Sequence, residues 1–162
     1  MFRFSAGLSS IVFAALLAGC AGVKYSPMVT EQKSLPDVSV RVSHQADGIY
    51  RVQVRNNTSD NITLQWSYSA YVTTGGETIR LINIPDPDHF PEGVPTEQVP
   101  SMVVRGGRLT TWFVGESWID YARRGVMPRP RDSESKAGIY LGFIIKGKKV
   151  YWKGEVSFVP QP

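Results

Sequence analysis

Between Val38 and Val159 the apolar residues fall on every second position in run after run, and this constrains the chain more than any other feature. "VSVRVS" sets Val38, Val40 and Val42 against polar neighbours, and "IYRVQVRN" does the same with Tyr50, Val52 and Val54. "NITLQWSYSAYV" places Ile62, Leu64, Trp66, Tyr68 and Ala70 on one parity. A strand with one buried face produces this alternation, because successive side chains point to opposite sides of the pleat. "TIRLINI", "SMVVR", "LTTWFV", "GIYLGFII" and "KVYWKGEVSFV" complete a set of eight candidate strands. Gly75-Gly76, Gly106-Gly107 and Lys146-Gly147 supply turns between them, the last with the spacing of a two-residue hairpin. The expected fold is all-β: an immunoglobulin-like antiparallel β-sandwich of seven or eight strands. It lacks the Cys–Trp–Cys core of antibody domains.

Two stretches break the alternation. "IPDPDHFPEGVPTEQVP" carries Pro85, Pro87, Pro91, Pro95 and Pro100, so it is neither a helix nor a central strand. "ESWIDYARRG" predicts the one short helix, with Ser117 as N-cap, Asp120 three residues on, Arg123 and Arg124 at the negative end and Gly125 as terminator. A polar loop, "GVMPRPRDSESK", follows it. On parity, Trp66 belongs to the core with Leu64 and Tyr68, and Trp112 faces out. Trp118 is the exposed aromatic of the short helix. With Tyr121, Arg123, Arg124, Arg129 and Arg131 it forms the candidate partner-binding set, since aromatics and arginines dominate protein-binding hot spots. The plainer alternative is that Trp118 plugs one end of the sandwich.

The chain's single cysteine, Cys20, stands after an unbroken apolar run from Ile11 to Ala18. Arg3 is a short positive start, and the run is too short and too diluted by serine and glycine to span a bilayer, which takes about 20 apolar residues. Leu17-Ala18-Gly19-Cys20 resembles the lipobox of bacterial lipoproteins. That resemblance implies diacylglycerol on the Cys20 sulfur, cleavage between Gly19 and Cys20, and acylation (palmitate or similar) of the new amine. Two or more chains anchor a protein stably, at about 0.8 kcal/mol per buried CH₂. Residues 1–19 are then the lipoprotein signal, 20–36 a lipidated tether and 37–162 the domain. Ala21 after the cysteine implies, by the sorting habit of enteric-type lipoproteins, an outer-membrane, lipid-anchored, periplasm-facing location.

Charge is uneven along the mature chain. Residues 21–104 carry six Lys/Arg against nine Asp/Glu, and residues 105–162 carry eleven against five. Such asymmetry marks a surface for an acidic partner or a solvated basic face. Nothing resembles a nucleic-acid module. The order "RNNTSDNITLQWSYSAYVTTGGETI", then "VVRGGRLTTWFV", then "AGIYLGFII" resembles small immunoglobulin-like periplasmic lipoproteins of the YcfL type; the resemblance implies the fold and little about activity. No Gly-x-Ser-x-Gly elbow occurs, Asp86, Asp88 and His89 make too sparse a ligand set for a metal, and Asp132 and Glu134 sit in a serine-rich charged loop. The expectation is no enzyme, no cofactor and no metal. The chain is expected to be a protein-binding or structural component of an envelope or secretion assembly. The alternative is a binder of peptidoglycan or another anionic glycan through the basic C-terminal half.

Overall fold

The computed structural model describes residues 25–46, 48–88, 95, 97–120, 125–126 and 136–160. The eight expected strands all form: β2 (Val38–Ala46), β3 (Ile49–Asn56), β4 (Ile62–Val72), β5 (Thr78–Ile84), β6 (Ser101–Val103), β7 (Arg108–Gly115), β10 (Ala137–Ile145) and β11 (Lys148–Pro160). Three more were not expected: β1 (Tyr25–Lys33) and the two-residue strands β8 (Ile119–Asp120) and β9 (Gly125–Val126). All pairings are antiparallel.

One hydrogen-bonded path runs β1-β11-β10-β4-β5-β7-β3-β2, with β6 added beside β4 and β8-β9 as a separate ribbon. The two end strands, β1 and β2, lie beside each other, so the path nearly closes into a barrel. The halves of an immunoglobulin-like sandwich have no ladder between them; here β5 supplies one. Its first residues pair with β4 (Ala70 opposite Arg80, Val72 opposite Thr78), and its last pair with β7 (Leu81 opposite Gly115, Ile84 opposite Trp112). Where β5 leaves β4, a side chain takes over the ladder. Gln98 Nε2 donates to the Leu81 carbonyl at 2.6 Å, and its Oε1 accepts the Asn83 N–H at 2.7 Å. Arg80 holds the same proline-rich segment by donating to the Pro95 carbonyl at 2.9 Å.

The core is aromatic. Trp66, Trp152, Tyr50, Tyr71, Phe113 and Phe143 are fully buried, with Tyr50 stacked on Phe113 at 5.4 Å. The two fully buried indoles place their N–H: Trp66 donates to Ser101 Oγ at 3.0 Å and Trp152 to Glu31 Oε2 at 2.7 Å. Asn56 closes the turn after β3. Its amide hydrogens are shared among the carbonyls of Asp60, Val103 and Val104, and its Oδ1 accepts the N–H and hydroxyl of Thr58. The β10–β11 hairpin turns through Lys146 and Gly147 with φ of 51° and 72°, the pair of positive values that a two-residue turn of matching twist demands.

Three expectations are corrected. Tyr68 does not share the inner face of Leu64 and Trp66. Gln65 lies opposite Gly142 and Ala70 opposite Tyr140, so residues 66–69 of β4 bulge against Leu141 alone. Ser69 stabilises the bulge by donating to the Gln65 carbonyl at 2.9 Å and accepting the Gly142 N–H at 3.1 Å. Parity flips there: Ser69 and Tyr71 go inside and Tyr68 turns out. The short helix is only a 3₁₀ turn, Glu116–Trp118, entered from extended Gly115 with no side-chain cap. Ile119 and Asp120 then pair with Gly125 and Val126, and burial of Trp118 and Ile119 outweighs the modest helix preference of an aromatic and β-branched stretch. Lastly, the expected tether is strand from Tyr25 onward, because the thirteen-residue β11 extends past β10 and pairs β1 along its free edge.

Replacing Gln98 with Ala leaves an N–H and a carbonyl of β5 without partners. The expected cost is about 2 kcal/mol of stability, read as a lower melting midpoint; an unchanged midpoint would show that water satisfies that edge equally well.

Candidate functional site: a tyrosine and lysine face

The outward side of β1-β11-β10-β4 collects residues that the core does not use. One row across the strands is Lys33, Lys153, Tyr140 and Ala70, read directly from the register. In the next, Tyr151 lies opposite Gly142. Gly142 has no side chain, and Tyr68 occupies the space: a Cβ on Gly142 would stand 2.6 Å from Tyr68 Cβ and 3.0 Å from its carbonyl oxygen. The bulge in β4 and the glycine in β10 thus cooperate to bring Tyr68 onto this face. Gly138, two residues before Tyr140, is similarly bare, and the Tyr140 ring leans over it.

These residues line a shallow depression of about 520 Å³, walled by Tyr68, Tyr140 and Tyr151, floored by Ala70 and Val72 and edged by Lys33 and Lys153. Lys149 Nζ stands 3.3 Å over the Tyr68 ring and 5.8 Å from the Tyr151 ring. Lys153 Nζ stands 5.4 Å from the Tyr140 ring. Among the described residues none of Lys33, Lys149 and Lys153 pairs with a carboxylate. Ammonium groups over tyrosine faces are attracted to them yet keep their charge for an incoming anion. Among the described residues the one acid on this face is Glu155, engaged at the rim by Lys136 at 2.9 Å. Among the described residues the arrangement offers flat apolar area and cations.

The residues singled out from the sequence fall elsewhere. Trp118 is 7% exposed, set edge-on to Tyr71 at 4.9 Å, with its indole against Gly115, where a Cβ would come within 2.7 Å. The expectation of an exposed aromatic is corrected; the ring closes one end of the core. Beside it Glu116 accepts hydrogen bonds from Arg80 Nε and Nη2, each at 2.8 Å, which fixes the 3₁₀ turn to β5. Tyr121, Arg123, Arg124, Arg129 and Arg131 lie outside the described residues, as do Gly19, Cys20, His89, Asp132 and Glu134. Trp112 faces outward and half-buried, donating to Gln45 Oε1 at 2.5 Å, with Arg51 6.0 Å from the ring. His44 sets its ring edge-on to Tyr50 at 5.4 Å. No group of three His, Cys, Asp or Glu side chains that could hold a metal ion occurs among the described residues.

Part of the tyrosine and lysine face is legible in the sequence. In "GIYLGFII" Tyr140 has the parity opposite to Ile139, Leu141 and Phe143, and in "KKVYWKGEV" Lys149, Tyr151 and Lys153 have the parity opposite to Trp152. Tyr68 had no such signal, since only the bulge turns it out.

Trp118→Ala is expected to destabilise the fold by about 3–5 kcal/mol, the range for emptying a buried aromatic site. Thermal melting measures it, and a loss below about 1 kcal/mol, typical of an exposed position, would return Trp118 to the surface.

No protein family model, curated protein or solved structure matches this chain.

Proposed function

We propose that the chain is a non-enzymatic binding protein of the bacterial envelope, anchored through lipid on Cys20 and facing the periplasm from the outer membrane, and that its ligand is an anionic glycan such as peptidoglycan. The observation that carries the reading is the tyrosine-walled, lysine-edged depression on the outer face of β4, β10, β11 and β1. Sugar rings present flat C–H faces that pack on tyrosine, and carboxylates on the glycan answer the lysines. Such a site binds by complementarity and requires no chemistry of its own. Three of its aromatic and cationic pairings use residues from the basic C-terminal half: Tyr140, Lys149, Tyr151 and Lys153. A protein partner docked through Trp118 is the weaker reading, because that ring is buried. The immunoglobulin-like description of the fold belongs to the proposal as well, supported by antiparallel pairing and glycine turns around one core, with the β5 ladder as its departure from that plan.

Two measurements test the reading. The purified domain is expected to co-sediment with peptidoglycan sacculi, less so as salt rises, since screening weakens exposed charge pairs. The triple variant Lys149→Glu, Tyr151→Ala, Lys153→Glu is expected to bind 10-fold or more weakly, about 1.4 kcal/mol per decade, with its melting little changed. Equal sedimentation of the triple variant would discard the face as the site. Separately, Cys20→Ser is expected to yield a precursor or a soluble product, whereas the parent shows the mass of a lipidated N-terminal cysteine. An unmodified N-terminus at another residue would remove the anchor from the proposal.

A further inference from the structure

Only Ala21 to Lys24 stand between Cys20 and Tyr25, where β1 begins. That chain spans at most about 17 Å even fully extended. A lipid on Cys20 therefore leaves little room between the bilayer and the start of β1. Among the described residues at that end of the sheet two apolar side chains are exposed, Met28 at 54% and Val159 at 42%. Both point outward on the same side. Met28 lies opposite Ser157 and Ser26 opposite Val159, so Met28 and Val159 are diagonal neighbours across β1 and β11. Their inward-facing neighbour Val29 packs on the core. Lys24 and Tyr25, next to the anchor, are residue types favoured at membrane–water interfaces. Of the other exposed large apolar residues among those described, Tyr68 belongs to the tyrosine and lysine face, and Val99, Met102 and Val104 lie on or beside β6, which pairs with the opposite end of β4.

We propose that the sheet end formed by the start of β1 and the end of β11 is a membrane seat, with Met28 and Val159 entering the boundary between headgroups and acyl chains. The inference rests on the reading of Cys20 as lipidated. It fixes how the glycan-binding face is presented. Met28 lies opposite Ser157 and Lys33 opposite Lys153, four steps further along β11 or about 13 Å at strand rise, so the tyrosine and lysine face begins just clear of the lipid. The protein then works as a short bracket, gripping a polymer close to the membrane.

The experiment uses the full lipidated protein in vesicles of phosphatidylethanolamine and phosphatidylglycerol with brominated acyl chains. An alkylated Cys20 carries no free thiol, so Met28→Cys, Val159→Cys, Met102→Cys and Tyr151→Cys each accept one environment-sensitive fluorophore at the new position. Labels at 28 and 159 are expected to shift to the blue and lose emission about twofold or more, as befits probes roughly 5–10 Å into the boundary. Labels at 102 and 151 are expected to show neither change. Unquenched labels at 28 and 159, with the lipidated Cys20 mass present, overturn the seat and leave the anchor standing. An unmodified Cys20 overturns the anchor and the seat with it. Quenching at 151 as strong as at 28 overturns the bracket arrangement, because the whole face would then lie on lipid.

Discussion

β5 is the strand on which the rest of the molecule depends. Every backbone N–H and carbonyl taken from water must find a partner, and an all-β chain meets that demand only through neighbouring strands. Residues 78–80 of β5 serve β4 and residues 81–84 serve β7, so one seven-residue strand joins β1-β11-β10-β4 to β7-β3-β2. The handover leaves Leu81 and Asn83 with an open edge, and the Gln98 amide fills it with one donor and one acceptor. The proline-rich segment thus acquires a structural role at its C-terminal end: it carries a side chain that imitates a strand. Arg80 reinforces the same seam, forking onto Glu116 and reaching the Pro95 carbonyl.

The seam also accounts for Trp118. With β5 and β7 tied at Leu81 and Gly115, the chain leaving β7 must turn over the end of the core. The 3₁₀ turn does this, and bare Gly115 lets the indole lie flat against the backbone. A residue that by composition belongs to a docking surface is used instead to close the core, since burying an aromatic side chain contributes more than leaving it in water.

The tyrosine and lysine face depends on a different departure from regularity. A strand in strict register would send Tyr68 inward beside Trp66. Four residues of β4 opposite one of β10 reverse the parity, and Ser69 satisfies the backbone groups that the bulge exposes. Bulges of this kind re-aim side chains and are found beside functional sites. Tyr68 thereby meets Tyr140 and Tyr151, which arrive from β10 and β11 by ordinary alternation, and Lys149 crosses from β11 to sit over the Tyr68 ring.

Alternation and turn chemistry were enough, from the sequence alone, to determine the all-β class, the eight longer strands from β2 onward, the Lys146-Gly147 hairpin and the burial of Trp66. These are local properties: period two, a glycine at positive φ, a large apolar side chain on the apolar parity. The lysines and tyrosines of β10 and β11 were legible for the same reason. Only the tertiary structure decided the rest. "YSPMVTEQK" has a single strongly apolar inward residue, Val29, and becomes strand because β11 offers it an edge. "ESWIDYARRG" carries caps and charges suited to a helix, yet the need to cover the core end takes Trp118 and Ile119 inside. Tyr68 joins the outer face because a bulge depends on how two strands sixty-odd residues apart fall into register, and no pattern within either strand records that.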